Sequence, residues 1–366
     1  MSPYTIGWIL GIEWEPELVD RTNREQANVS QYNGQYVYTE GASPFEVWLA
    51  GVSDFAIAYE TENYRMQRPV AFTNWPTTDP LRHPNEPYQK EDWVKVNVEH
   101  IKAKNSFRAG FFAAYHVYPY YPDFMFYDEK YRSFRDEDGR PNTYRAYLRD
   151  LVNAHTLPVL IAEFGVPSSR GIAHINPLTN FNQGYLNEQM QGEMLASMLQ
   201  DIYREGCAGG LVFSWHDEWF KRTWNTQDLD LAWRRPYWHN VQTNEQCFGL
   251  LAFDPGEEKR VVYVDGDPSE WKDEWLVTGG GSEAQLYAQA DEECVYFLIR
   301  HPDLDPQKHT LVLAIDVLPE QGNTRWMDRD LDLERACEFL VVIDGEDNSR
   351  VLVDAYYNPF YYLYGK

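Results

Sequence analysis

The chain has 366 residues, 43% of them hydrophobic and 16% aromatic, with a formal net charge of −25. That length exceeds one ordinary domain, so two are expected. So acidic a chain is a poor partner for nucleic acid or for an anionic membrane, which leaves neutral or weakly charged ligands.

In chain order, Tyr4 to Trp14 (YTIGWILGIEW) is predicted to be a strand carrying Glu13 at its end. The stretch from there to about Pro44 is polar and irregular. Phe45, Trp48, Leu49, Val52, Phe55 and Tyr59 recur at helical spacing, which predicts a helix over Phe45 to Tyr64. Pro69 to Thr73 is a short strand, followed by the loop Asn74 to Pro80. Glu91 to Lys104 is predicted to be a helix. Ala109 to Val117 (AGFFAAYHV) is a buried strand bearing His116, and the aromatic run YPYYPDFMFY begins at Tyr118. Helices are predicted for Asn142 to His155 and Asn187 to Glu205. Between them the apolar run Val159 to Ala162 ends in Glu163, and Ala208 to Trp215 (AGGLVFSW) is the last strand of this part.

Continuous apolar strands alternating with helices predict βαβ units and a parallel sheet. Five such strands end at Trp14, Thr73, Val117, Glu163 and Trp215. A closed (β/α)8 barrel has eight, so the sheet is open or three strands lie elsewhere. Beyond about Asp254 the pattern changes to short alternating runs (VVYVDG, AQLYAQAD, CVYFLIR, TLVLAID, EFLVVIDG, RVLVDAYY). These predict an antiparallel β-sandwich. The domains are therefore 1–255 and 256–366.

Cys207, Cys247, Cys294 and Cys337 show no C-x-x-C spacing, which disfavours zinc and thioredoxin-like sites. No apolar run reaches the ~18 residues of a membrane-spanning helix. MSPYTIGWILG is not a signal peptide. The chain is cytoplasmic as written, and extracellular if it belongs to a longer exported protein.

Glu13 and Glu163 both sit at strand C-termini, where a parallel barrel gathers its chemistry. A retaining glycoside hydrolase needs two such carboxyl groups about 5–5.5 Å apart. Glu15, Asp79, Asp217 and Glu218 are rival acids. His116 is a sugar contact or a satisfied half-buried imidazole, and Tyr118, Tyr120 and Tyr121 wall a cleft or pack a loop. Trp14 and Trp75 follow strand ends and line a cleft or a core. Trp215 has the same two readings. Arg170 either pairs with Glu163 or caps its turn, and Arg234-Arg235 is read as surface. The loop HDEWFKRTW, His216 to Trp224, is a mouth loop or a solvated helix start. Ser168-Ser169 lacks a G-x-S-x-G context, which disfavours a serine hydrolase.

PVLIAEFG followed one unit later by VFSW resembles strands seven and eight of clan A glycoside hydrolases. AYHVYPYYP resembles their strand-six His-x-Tyr, as in family 5, and family 2 barrels are similar. The resemblance spans about residues 4–250. It implies a (β/α)8 barrel of which this chain carries about strands four to eight. Glu163 would be the nucleophile and Glu13 the acid/base. Tyr118 would hold the nucleophile, His116 would contact sugar, and Trp215 would stack on it. Ile12 stands where the family has an Asn that binds the sugar 2-hydroxyl, and Asn74 is the expected substitute. The first strands would then come from a longer gene product or a partner, or a homodimer would cover the edges. Val264 to Trp271 (VDGDPSEW) resembles the opening of family 9-like carbohydrate-binding modules.

Together these imply a retaining hydrolase of a poly- or oligosaccharide that needs no cofactor and no metal. The alternative is a non-catalytic carbohydrate-binding or cell-surface protein built on a barrel remnant.

Overall fold

Five apolar runs form one parallel sheet in the computed structural model, which describes residues 4–169, 171–218, 221–227, 243–252, 260–279, 284–291, 294–305, 307–326 and 330–357. The chain divides into two units, Met1–Phe253 and Asp254–Lys366. In the first, the elements are β1 (Trp8–Leu10), α1 (Pro16–Glu25), β2 (Val37–Thr39), α2 (Pro44–Tyr64), β3 (Val70–Asn74), β4 (Ile101–Ala103) and β5 (Ala113–His116). After them come α3 (Phe124–Tyr127), α4 (Glu129–Arg132), α5 (Thr143–Asn153), β6 (Val159–Phe164), α6 (Glu188–Arg204) and β7 (Gly209–Val212). The sheet order is β1-β3-β5-β6-β7, and every pair is parallel. Each parallel strand thus lies beside the next one in the chain, with no reversal of order.

The central strands are apolar because both faces are covered. Val70, Phe72, Tyr115, Val159, Ile161 and Phe164 enter the main core, which the helices share through Leu49, Leu148 and Met198. Ala71, Ala114 and Ala162 are buried on a second cluster with Ile9, Phe112 and Leu160. The helices begin where short polar side chains can cap them. Ser43 accepts from the Glu46 N–H while Glu46 reaches back to the Ser43 N–H, and Pro44 occupies the first turn of α2. Asn142 and Asn187 cap α5 and α6 by accepting the Arg145 and Met190 N–H groups.

Two expectations fail here. Glu91 to Lys104 is not a helix but two 3-10 turns, Gln89–Asp92 and Val98–His100, followed by β4. Its backbone is claimed by distant partners: the Val96 N–H donates to the Thr78 carbonyl and the Asn97 N–H to Glu46. β4 then pairs antiparallel with β2. The stretch before Pro44, read as irregular, holds α1 and β2. The first strand is also shorter than expected. Gly11 sits at φ +75°, a left-handed conformation that suits glycine, and turns the chain away after Leu10.

The second unit contains β8 (Leu276–Thr278), β9 (Gln285–Ala290), β10 (Val295–Arg300), β11 (Leu311–Ile315), β12 (Asn323–Trp326), β13 (Leu331–Cys337), β14 (Phe339–Ile343), α7 (Gly345–Asn348) and β15 (Arg350–Val353). They form separate antiparallel sheets, β10-β9-β8, β11-β14-β15 and β12-β13. Trp326, Cys337, Leu340 and Val342 form its buried cluster. β12 and β13 escaped sequence reading because charge masks their alternation, and Arg325 ion-pairs across the ladder with Asp332 at 2.6 Å. Val261 to Gly266, expected as a strand, is turn structure. The Tyr263 N–H donates to the Glu270 side chain and the Asp267 N–H to that of Asp265. Trp271 packs edge-on against Trp275 and Tyr287. Pro255 to Glu258, read as the boundary, lies outside the described residues.

One buried ion pair ties α2 to the chain entering β3. Arg68 and Glu60, with side chains 5% and 4% exposed, form a charge-assisted hydrogen bond, and the Arg68 Nε donates to the Thr5 carbonyl at 2.6 Å. Glu60→Ala would leave a buried guanidinium without its counter-charge, so a loss of about 3 kcal/mol or more is expected. Urea unfolding followed by tryptophan fluorescence checks this; a loss under about 1 kcal/mol would mean that the pair acts like a solvated one.

Candidate active site

Glu13, His116 and Glu163 meet at the C-terminal end of the parallel sheet. Glu13 lies in the turn between β1 and α1, His116 is the last residue of β5, and Glu163 is the penultimate residue of β6. Backbone register brings the last two together: His116 and Glu163 are partners in the β5–β6 pair, just past an irregularity between Tyr115 and His116. The Val117 N–H donates to the Glu163 carbonyl at 2.9 Å. The chain beyond Glu163 must also be thin. A side chain at Gly165 would collide with the Phe213 backbone oxygen, so β7 can close in behind the site.

The His116 Nδ1 lies 2.9 Å from Glu13 Oε1 and 3.2 Å from Glu163 Oε2. Since carboxylates only accept, this nitrogen carries the hydrogen. The Tyr118 hydroxyl donates to the same Glu163 oxygen at 2.7 Å. Burial holds the Tyr118 phenol far above its ordinary value, so it remains a donor. Burial also raises the Glu163 carboxyl, against the opposing pull of His116 and of the Tyr118 hydroxyl, and nearby Glu13 raises it further. One ligand atom from each of Glu13, His116 and Glu163 lies within 4.8 Å of the others. That donor set could hold a divalent cation; as it stands, the space between the two carboxylates is bridged by the imidazole N–H.

Behind Tyr118 lies an aromatic support. Its ring meets Phe248 edge-on at 6.0 Å and stacks on Tyr120 at 5.6 Å. Phe248 in turn packs on Phe213, whose face carries the Lys221 ammonium at 4.7 Å. Lys221 pairs with Glu218 at 2.9 Å and Glu245 at 3.5 Å. Glu245 accepts from Gln183 at 2.6 Å. Burial raises the Glu245 carboxyl, Lys221 opposes that shift, and Glu13 adds to it. Sequence reading missed Glu245, Lys221 and Gln183. Lys221 stands in the charged loop His216 to Trp224, which was a signal, whereas nothing in TNEQCF sets Glu245 apart.

Other expected site residues go elsewhere. Asn74 is 2% exposed and fully occupied: it donates to the Val96 carbonyl at 2.8 Å and accepts from Thr78 Oγ1 at 2.6 Å. It braces its own loop and offers nothing to a sugar. Trp14 is 8% exposed and packs on Phe45 and Trp48, so it belongs to the core instead of a cleft wall. Trp75 is half-buried and donates its Nε1 hydrogen to the Trp14 carbonyl at 2.9 Å. Trp215 is 69% exposed beyond the end of β7. Among the rival acids, Asp79 is buried against His83 and Tyr147. Asp217 accepts the Gly249 N–H at 2.7 Å, Glu218 pairs with Lys221, and Glu15 stands at the start of α1. Arg170 and Arg234-Arg235 lie outside the described residues.

The raised Glu163 carboxyl has a consequence for stability. The folded chain holds this proton more tightly than the unfolded one. Its stabilising share is full below the unfolded carboxyl value near ~4.3 and lost as pH rises through the folded value. Glu163→Gln cannot ionise and keeps its shape, so its Tm should exceed the parent's at neutral pH and match it at about pH 3.5. A variant less stable than the parent at neutral pH would contradict the assigned direction.

No family model, no curated protein and no solved structure matches this chain. The functional reading therefore rests on the geometry of Glu13, His116, Tyr118 and Glu163.

Proposed function

We propose that the chain is a retaining glycoside hydrolase of the clan A type, and that its parallel sheet is a segment of a (β/α)8 barrel. The observation that carries this reading is the carboxylate pair. Glu13 and Glu163 present oxygens within 4.8 Å of each other at the C-terminal end of a parallel sheet. Retaining enzymes hold their two carboxyl groups about 5–5.5 Å apart, and inverting ones about 6.5–9.5 Å, to admit a water. The uninterrupted strand order supports a barrel segment, whose edges β1 and β7 would pair with further strands. In the same reading the second unit is a β-sandwich that binds carbohydrate.

The roles follow from the hydrogen bonds. Glu163 receives the Tyr118 hydroxyl and the His116 N–H on one oxygen, which favours its charged form and aims the other oxygen at substrate. It attacks the anomeric carbon and forms a glycosyl ester as the glycosidic C–O bond breaks. Glu13, with the more exposed carboxyl of the two, gives its proton to the departing oxygen. It then takes a proton from the water that cleaves the ester, and the anomeric configuration is kept. His116 orients both groups. Lys221, held by Glu218 and Glu245, places a positive charge beside the pair.

Glu163→Ala should abolish turnover of aryl glycosides, with azide restoring it to give the inverted glycosyl azide. Glu13→Ala should cost about 10²–10⁴-fold in kcat/KM on substrates with poor leaving groups and less on activated aryl glycosides. A wild type that is inert on a broad glycoside panel yet binds glycan would favour the non-catalytic reading. That reading draws on Ile12, which is 64% exposed where the family has Asn.

Tyr118→Phe removes a hydrogen bond that favours the charged carboxylate, so the Glu163 carboxyl should rise. The acid limb of the kcat/KM profile should move to higher pH. An unmoved or lowered limb would show that Tyr118 does not act on the nucleophile.

A further inference from the structure

Four flat rings cross the C-terminal edge of the parallel sheet in strand order. Trp75 follows β3, Tyr121 follows β5, His174 follows β6 and Trp224 follows β7, and these strands are neighbours in that sequence. Successive ring centroids are 6.0, 4.8 and 5.5 Å apart. Their planes are inclined to one another by 40°, 43° and 35° from one ring to the next. Four separate loops each supply one ring. A core would seal such rings, yet Trp224 is 53% exposed and the other three are half-buried.

A short relay of contacts joins this ribbon to the carboxylate pair. At one end Trp75 hydrogen-bonds the carbonyl of Trp14, the neighbour of Glu13. In the middle His174 lies parallel to Tyr120 within 3°, Tyr120 stacks on Tyr118, and Tyr118 holds Glu163. Burial lowers the His174 imidazole from its ordinary value, so at neutral pH it offers an uncharged ring. The polar groups at the Trp75 end are acidic. Glu91 accepts from the Tyr121 hydroxyl, and Glu86 and Glu15 are close enough to act on that phenol.

We propose that the Trp75–Tyr121–His174–Trp224 ribbon is a binding platform for an extended oligosaccharide without acidic groups, running past Glu13 and Glu163. The inference deepens the glycosidase reading and takes its direction from it. Pyranose rings present apolar C–H faces that stack on aromatic rings, and the ring spacing is of the size of one sugar unit. A chain of uronic or sulfated sugars would meet the acidic Trp75 end with like charge from Glu15 and Glu91, while burial pushes the Glu86 carboxyl up to about 7 and leaves it only partly charged.

The test uses Glu163→Gln, which can hold substrate without turning it over. Cello-, xylo-, laminari- and manno-oligosaccharides, from disaccharide to hexasaccharide, are titrated by tryptophan fluorescence and by NMR. At least one series should gain affinity with length, by about tenfold or more, equivalent to ~1.4 kcal/mol. Adding Trp224→Ala should erase the gain from the longest members, and Trp224→Phe should restore most of it. Alginate oligosaccharides should bind at least tenfold more weakly than the best neutral series. Flat length dependence in every series would overturn the platform, as would unaltered hexasaccharide binding by the Trp224→Ala form. Those results leave the glycosidase reading standing if wild type still cleaves aryl glycosides. Length-dependent binding without any turnover would instead keep the platform and sink the glycosidase.

Discussion

The site depends on one shared hydrogen. The His116 Nδ1 stands between two carboxylate oxygens, 2.9 Å from Glu13 and 3.2 Å from Glu163. Two carboxylates brought this close repel each other and lose solvent, so without a donor between them the arrangement would be costly. The imidazole lowers that cost, and the Tyr118 hydroxyl lowers it on the Glu163 side alone. This asymmetry gives two chemically similar acids different surroundings. Neighbouring groups help to keep those four side chains where they are: Phe248 and Tyr120 pack on the Tyr118 ring.

That service is mostly done by buried polar groups in the loops. Glu46, 2% exposed at the start of α2, closes a capping box and also accepts from the Asn97 N–H and the His100 ring. It therefore anchors the long connection after β3 to a helix end. Asp79 does the same earlier in that loop, receiving the Tyr147 hydroxyl at 2.6 Å and facing the His83 ring, which is stacked on Phe124 at 3.5 Å. Irregular backbone can be buried only if its polar groups find partners. These carboxylates supply them in the loop that carries Trp75.

The parallel strands and the three helices α2, α5 and α6 could be read from the residues because each has its own local cause. Continuous apolar runs mark strands covered on both faces, and Ser43, Asn142 and Asn187 mark helix starts. The pairing of Glu163 with Tyr118 was legible through its family resemblance. Other features were not. Glu91 to Lys104 has helix-compatible residues, but its donors go to Thr78 and Glu46, far away in the chain. Asn74 looks like a free amide beside a strand end until Val96 and Thr78 consume it. Glu245 is one of 57 acidic residues, and only folding brings it to Lys221.

By itself, then, the sequence determined the number and direction of the parallel strands, the change of pattern that separates the two units, and the acid Glu163 at a strand end, whereas Glu13 lies in the turn after a shorter strand. Periodicity, capping and strand length are local properties, so they survive in a one-dimensional string. Tertiary structure decided which acids share a hydrogen, which tryptophans are core and which are open, and that four loops line up their rings across one sheet edge. Those outcomes depend on distances between residues far apart in the chain, and on the burial that strengthens every unpaired charge or donor left among them.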